Sequence, residues 1–242
     1  MILRPRIIAG LAVTINTAAT DVVTLRGLDL DGNGTGNAGI FIETAGVVHV
    51  HNVRIRGFTG AGIVLFNSNY TELYVVDSHI TECGFSGSNG GILINQGGSG
   101  SANVFINRVR LENNSNGILA NGSFSTGVAA NVSVVDSIVS GSAFNGIKAV
   151  TTAGHQAVTI FVDHCVVSGN FASGINANGA AASGLGSATV RIGDSSINNN
   201  VTGVSATNLG VLQSYKNNRI SANLSDGTPI AAFPGPGGTP LQ

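Results

Sequence analysis

The sequence predicts an all-β solenoid, a parallel β-helix, from a glycine-led phrase that recurs along the chain, a second column of bend residues, and a composition suited to short strands and turns. The phrase runs glycine, an aliphatic, an outward residue, then a small or apolar one. It stands as Gly39-Ile40-Phe41-Ile42, Gly62-Ile63-Val64-Leu65, Gly91-Ile92-Leu93-Ile94, Gly117-Ile118-Leu119-Ala120, Gly146-Ile147-Lys148-Ala149, Gly174-Ile175-Asn176-Ala177 and Gly203-Val204-Ser205-Ala206. Its glycines lie 23, 29, 26, 29, 28 and 29 residues apart, too regular for chance and too far for one helix or hairpin. Ala12-Val13-Thr14-Ile15, 27 residues before Gly39, fits the same column without the glycine.

The second column appears when Leu30, Ile55, Ile80, Leu111, Val139, Val167, Ile197 and Ile220 are aligned. Three residues before each stand Gly27, Asn52, Asp77, Arg108, Asp136, His164, Asp194 and Asn217, and six of these eight are Gly, Asn or Asp. Those types tolerate a left-handed backbone, so the column reads as a tight bend between two short strands. Each repeat is then three strands and three turns, and only stacking buries its apolar face. The expected solenoid has about eight coils of roughly 27 residues, near ~4.8 Å per coil and so roughly 38 Å long.

Composition agrees. Thirty-five glycines, 10% charged residues and no tryptophan in 242 residues suit short strands and bends. No segment holds a 3.6-residue apolar period over three turns, and no apolar run is long enough to span a membrane, so no membrane insertion is expected. A net charge of −1 gives no electrostatic case for nucleic acid. Cys83 and Cys165 fall three repeats apart, about 14 Å along the axis, too far for a disulfide with each other.

Taken in order, Arg4 and Arg6 precede the apolar run Ile7–Val13, which in isolation has the look of a short signal peptide. The repeat register favours a different reading, with Ile2–Ile8 as the last strand of an earlier coil. Next come the coils that carry most of the charge. Stacking places Asp29, Arg54, His79 and Arg110 in one outward column and Asp31, Arg56, Thr81 and Glu112 in the next. That pattern reads either as a cross-strand ladder of ion pairs or as a polar face that holds an acidic sugar, with His79 as base. Arg54, His79, Arg110 and Glu112 are the candidate catalytic set.

Between Gly84 and Gly154 the loops lengthen and turn glycine- and serine-rich, with no carboxylate cluster. Asn198-Asn199-Asn200 reads as a bend whose amides bond between rungs. The solenoid is expected over 1–224, and 225–242 as a Pro/Gly-rich tail that leaves the ladder. Phe41, Val64, Leu93 and Leu119 stack as outward apolar residues on consecutive rungs, pointing away from the core. This stripe calls for cover from a loop, the tail or a second copy, and makes a homo-oligomer a candidate assembly. His49 and His51 lie two apart on one strand without a third ligand nearby, so no metal and no cofactor is expected.

With Gly-Ile-x-Ile phrases, the Asn/Asp bend column, Val22-Val23-Thr24-Leu25-Arg26-Gly27-Leu28 and the ending Asn217-Asn218-Arg219-Ile220, the chain resembles the right-handed parallel β-helix repeat proteins of the pectin-lyase-like superfamily. The likeness covers Ala12 to about Asn223 and is nearest to bacterial secreted or envelope members of undefined biochemistry. It implies a right-handed coil, a secreted or cell-envelope location and a polysaccharide partner. The catalytic phrases of the superfamily's enzymes are missing: no Asn-Thr-Asp or Gly-His-Gly as in polygalacturonases, and no calcium carboxylate set or Arg-x-Pro-x-x-Arg as in pectate lyases. Gln156-Ala157-Val158 matches three letters of the methylesterase oxyanion region without its aspartates. The expected function is a non-catalytic surface, adhesion or glycan-binding module. The alternatives are a polysaccharide lyase or hydrolase acting on acidic glycans, and a structural spacer or oligomer-forming scaffold.

Overall fold

The computed structural model describes residues 10–85 and 87–232. The expected early strand Ile2–Ile8 and the tail residues from Phe233 lie outside the described residues. Among the described residues there is no helix; 26 strands fall into three sheets in which every neighbouring pair is parallel. The first sheet holds nine strands, from Gly10–Asn16 and Gly36–Thr44 to Thr202–Asn208 and Ser225–Gly227, and contains all the glycine-led phrases. The second also has nine, from Val22–Arg26 to Ala231–Ala232; the third has eight three- or two-residue strands, from Asp29–Asp31 to Arg219–Ile220. The chain visits the three in turn, so each circuit is one coil of a parallel β-solenoid.

Register is set by burial. Val13, Ile40, Ile63, Ile92, Ile118, Ile147, Ile175 and Val204 pair rung by rung in the first sheet, and from Ile40 to Ile175 each is fully buried. Val48, Leu73, Val104, Val132, Ile160 and Val190 from the second sheet, with Ile55, Ile80, Leu111, Val139, Val167 and Ile197 from the third, fill the same core. A slip of one residue in any strand would turn these side chains to water, which is why alternation fixes the pairing.

The glycine column has a steric cause. A Cβ on Gly39 would lie 2.6 Å from Ile55 Cγ2, one on Gly91 2.5 Å from Leu111 Cδ2, and one on Gly146 2.7 Å from Val167 Cγ1. The first sheet therefore approaches the third so closely at this corner that only hydrogen fits beside the third sheet's aliphatic. The glycine and the aligned Ile/Leu/Val column are two sides of one contact.

The bend between the second and third sheets falls where expected. Gly27, Asn52, Asp77, Arg108, Asp136, His164 and Asp194 all have φ between 38° and 69°, whereas in the last coil Lys216 (φ 67°) takes the place expected of Asn217. A second left-handed column follows the third-sheet strands from Arg54–Arg56 onward, at Gly57, Glu82, Asn113, Gly141, Gly169, Asn199 and Ala222. Except at Lys216, which exposed Asn217 follows, the residue after each left-handed position turns inward, and the two resulting corners are stapled by polar side chains. Asn114, Asn170, Asn200 and Asn223 each accept, at Oδ1, a backbone N–H from the preceding coil (Cys83, Ser142, Asn170 and Asn200), all at 3.0 Å. The Nδ2 groups of Asn114, Asn200 and Asn223 donate back to carbonyls of that coil (Ile80 at 3.0 Å, Val167 at 3.1 Å and Ile197 at 3.0 Å), whereas Asn170 Nδ2 donates forward to Asn200 Oδ1 at 2.8 Å. At the other corner Ser78, Ser137 and Ser195 accept from Val53, Val109 and Cys165 at 3.1–3.2 Å. These asparagines and serines are tolerated in the interior because each is bonded, whereas the buried Ser142 Oγ at the same corner has no partner among the described residues.

The ladder runs past residue 224, further than the tail boundary expected from composition. Ser225–Gly227 pairs with Thr202–Val204, and Ala231–Ala232 with Gln213–Ser214. Pro229 falls in the turn between these strands, where no N–H is needed for a ladder. Ile230 packs against the core.

Replacing Ile118 by Asp puts an unpaired charge in the stacked core and should cost more than about 4 kcal/mol. Gly91→Ala should cost about 1–3 kcal/mol through overpacking at the corner, whereas Gly97→Ala, whose Cβ would meet nothing closer than 3.8 Å, should be near neutral. Thermal melting of the three variants checks the order.

Candidate functional site

The third sheet brings the four candidate catalytic residues together on its outer face. Asp29, Arg54, His79 and Arg110 occupy one register column, and Asp31, Arg56, Thr81 and Glu112 the next. The ion pairs run on diagonals as well as across rungs: Arg56 reaches Asp31 at 2.8 Å and Asp29 at 3.2 Å. His79 Nε2 lies 2.9 Å from Glu112 Oε2, and Arg110 donates to Glu112 Oε1 at 2.5 Å. Partial burial tends to raise the Glu112 pKa, but the bonds and charges of Arg110 and His79 outweigh it and hold the carboxylate below its usual range. Arg56 is raised, first by its bond to Asp31. Among the described residues Arg54 has no ion pair; with Arg56, His79 and Thr81 it borders a depression of about 170 Å³. Chemically, His79 Nε2 and the Arg110 guanidinium are both engaged by Glu112, which leaves His79 Nδ1 and the neighbouring Arg54 as the groups of this set not held in an ion pair among the described residues.

The apolar stripe also stacks as expected, Phe41 to Val64 to Leu93 to Leu119. It is covered by the chain itself: Val64 is 9%, Leu93 8% and Leu119 3% exposed, packed with Ala38 and Ala61, while half-buried Phe41 lies against Phe66 with ring centroids 6.1 Å apart. The stripe forms a second, smaller apolar cluster outside the first sheet.

The second sheet carries a feature that overall composition hides. Its outward column runs Thr24, His49, Tyr74, Phe105, Ser133, Phe161 and Arg191. His49 stacks on Tyr74 with centroids 4.9 Å apart, and Tyr74 meets Phe105 at 6.3 Å with planes tilted by 57°. Ser133 then interrupts the column, leaving Phe105 37% exposed beside a depression of about 260 Å³ lined also by Tyr74, Asn103 and Asn131. Along its edge a directed chain of hydrogen bonds runs from Asn131 Nδ2 to Asn103 Oδ1 (3.1 Å), from Asn103 Nδ2 to Tyr70 Oη (2.9 Å), and from Tyr70 to Glu72 Oε1 (2.9 Å). Tyr74 donates to the other oxygen of Glu72 at 2.9 Å. Its hydroxyl pKa is raised, first by that bond; that of Tyr70 is raised first by burial and then by Glu72. The signal was present in the sequence, since His49, Tyr74, Phe105 and Phe161 each stand three residues before a bend residue. A larger depression of about 640 Å³ lies among the loops near Thr152, Ala180 and Leu209, but no titratable side chain lines it.

The chain matches no protein-family model, no curated protein and no solved structure. The parallel β-solenoid accordingly rests on the ladder and its columns.

Two further groups complete the charge pattern. The first bend column alternates in sign, Asp77, Arg108, Asp136, His164, Asp194; Arg108 Nε contacts Asp77 at 2.6 Å, and His164 bridges Asp163 (2.9 Å) and Asp194 (3.1 Å). Cys83 and Cys165 are free and buried at different corners, and burial pushes their thiols up to about 12 and about 11. Among the described residues no group of three or more His, Cys, Asp or Glu side chains is placed to hold a metal ion.

Leu119→Ser should destabilise the coil by on the order of 2 kcal/mol in thermal or chemical melting, because the side chain is buried although it faces away from the main core. The bond to Asp163, then its charge and that of Asp194, raises His164 above 6.5. A raised pKa stabilises the fold below the ordinary value, and that contribution is lost as pH rises through the raised one. An NMR titration should place the His164 midpoint above 6.5, and Asp163→Asn should lower it.

Proposed function

We propose that this protein is a non-catalytic glycan-binding module that takes sugar on the outer face of its second sheet. Its place, by the resemblance drawn above, is among right-handed pectin-lyase-like β-helices of bacterial secreted or envelope type. The observation that carries the reading is the aromatic column His49–Tyr74–Phe105 ending in a shallow depression edged by two asparagine amides. Aromatic faces supply flat apolar area for the C–H faces of a sugar ring, and amides supply paired donors and acceptors for its hydroxyls. The depression is open, as suits binding to a long chain. A rigid strand scaffold holds these groups in place without loop ordering on binding.

The competing enzyme reading draws on Arg54, His79, Arg110 and Glu112. Hydrolysis calls for two carboxyl groups flanking the bond, and lyase chemistry calls for a base free to take a proton beside a cation that neutralises the uronate. On the third sheet Asp29 and Asp31 are clamped by Arg56, and Glu112 by Arg110 and His79. A role for the stripe in oligomer formation has little to work with, since three of its four side chains are already buried within one chain.

A glycan array, followed by calorimetric titration of the best binder, tests the reading. Phe105→Ala should weaken binding at least about tenfold, or roughly 1.4 kcal/mol, with melting unchanged. Release of unsaturated or reducing ends from a polysaccharide, abolished by His79→Ala at constant melting temperature, would replace binding by catalysis.

A further inference from the structure

No charged side chain lines the second-sheet depression, and Glu72 stands just outside the lining, bonded to Tyr74 and paired in register with Asn103. Glu72 shares a register row with Asn103 and Asn131, and shares a strand face with Tyr74 two residues on. Both its oxygens are taken by tyrosine hydroxyls at 2.9 Å, which fix the two rings and leave the negative charge at the rim of the site. Because Asn131, Asn103 and Tyr70 all donate in the same direction, the row is polarised with Glu72 at its acceptor end. What remains for a ligand is the exposed ring of Phe105, the second N–H of each asparagine and the carbonyl oxygen of Asn131. A sugar hydroxyl, donor and acceptor at once, matches that set. A carboxylate is an acceptor only, and would face Glu72 with nothing to neutralise it.

The cations elsewhere do not fill this gap. Arg56 is held by Asp29 and Asp31, Arg110 by Glu112, and Arg108, next to Asn107 on the same strand edge, by Asp77. Arg191 follows Phe161 in the same column but lies three rungs beyond Phe105, about 14 Å at one strand spacing per rung, and its Nε donates to Gln213 at 2.9 Å. His49 and His51 flank the far side of Tyr74, where stacking occupies the His49 ring. Capture of a uronate ordinarily uses an arginine fork aimed at the carboxylate, and none lines this depression.

Resting on the glycan-binding reading, we infer that this site selects neutral sugars over uronates, with Glu72 as the specificity-determining residue. Glu72 acts by excluding negative charge and by aligning Tyr70 and Tyr74.

The test titrates the full chain calorimetrically with neutral oligosaccharides bound on the array and with their C6-oxidised uronate counterparts of equal length and linkage. Cellohexaose and hexa-β-1,4-glucuronate are one such pair. The neutral member should bind roughly tenfold or more tightly at low salt, the scale of one close charge contact. Added sodium chloride should narrow the gap by screening. Glu72→Gln, with melting unchanged, should narrow it at constant salt by strengthening uronate binding. If no member of any pair binds, the glycan-binding reading falls and this inference with it. If wild type takes both members equally or favours the uronate, or if Glu72→Gln and salt leave the gap unchanged, charge selection by Glu72 is overturned while glycan binding stands. Uronate binding lost on Arg54→Ala would move the acidic site to the third sheet and overturn the inference in the same way.

Discussion

Each coil can satisfy its backbone only through the coils above and below it. Strands of two to nine residues form no hydrogen-bonded pair within their own circuit, so every sheet N–H and C=O looks along the axis for its partner. That requirement holds the coils at one strand spacing and brings like positions into columns. A column then succeeds or fails as a unit. The isoleucines of the first sheet, the glycines beside them and the left-handed bends are repeated because any coil lacking one would have to move its neighbours.

This is also why the architecture was legible in the sequence. The glycine phrase and the bend column could be aligned without a structure, and both proved to be in register. Arg108 and His164, which are not of the usual bend types, still adopt the left-handed conformation, showing that position in the stack outweighs residue preference there. The second bend was harder to see, because Gly57, Glu82, Asn113 and Ala222 share no chemistry. Its physical requirement is a turn followed by one inward residue, which phenylalanine, cysteine, serine or asparagine meets at Phe58, Cys83, Ser142 and Asn170.

The surface was read less well. Outward columns were correct in register, yet facing outward proved different from being wet: Leu119 points away from the main core and is nevertheless buried. Burial there comes from packing among Ala38, Ala61, Val64, Leu93 and Leu119 on the outside of the first sheet, which an inward/outward alternation does not reveal. The aromatic column is hidden in the composition for another reason. Ten Phe and three Tyr in 242 residues look sparse as an average, but stacking gathers His49, Tyr74 and Phe105 from positions 25 and 31 residues apart onto neighbouring rungs. A solenoid turns a low overall frequency into a high local one.

The buried asparagines at the second corner give the molecule a mechanical grain. Asn114, Asn200 and Asn223 each grip the coil before them through both oxygen and nitrogen, and Asn170 grips it through its oxygen while its Nδ2 donates forward to Asn200. A load spread evenly over the two end faces meets the sheet ladders of each interface at once, joined by these amides at four of them. A load applied through the chain ends instead peels one coil at a time, concentrating force on a single rung. The same molecule is therefore a stiff rod when gripped by its faces and an unwinding spool when pulled by its termini.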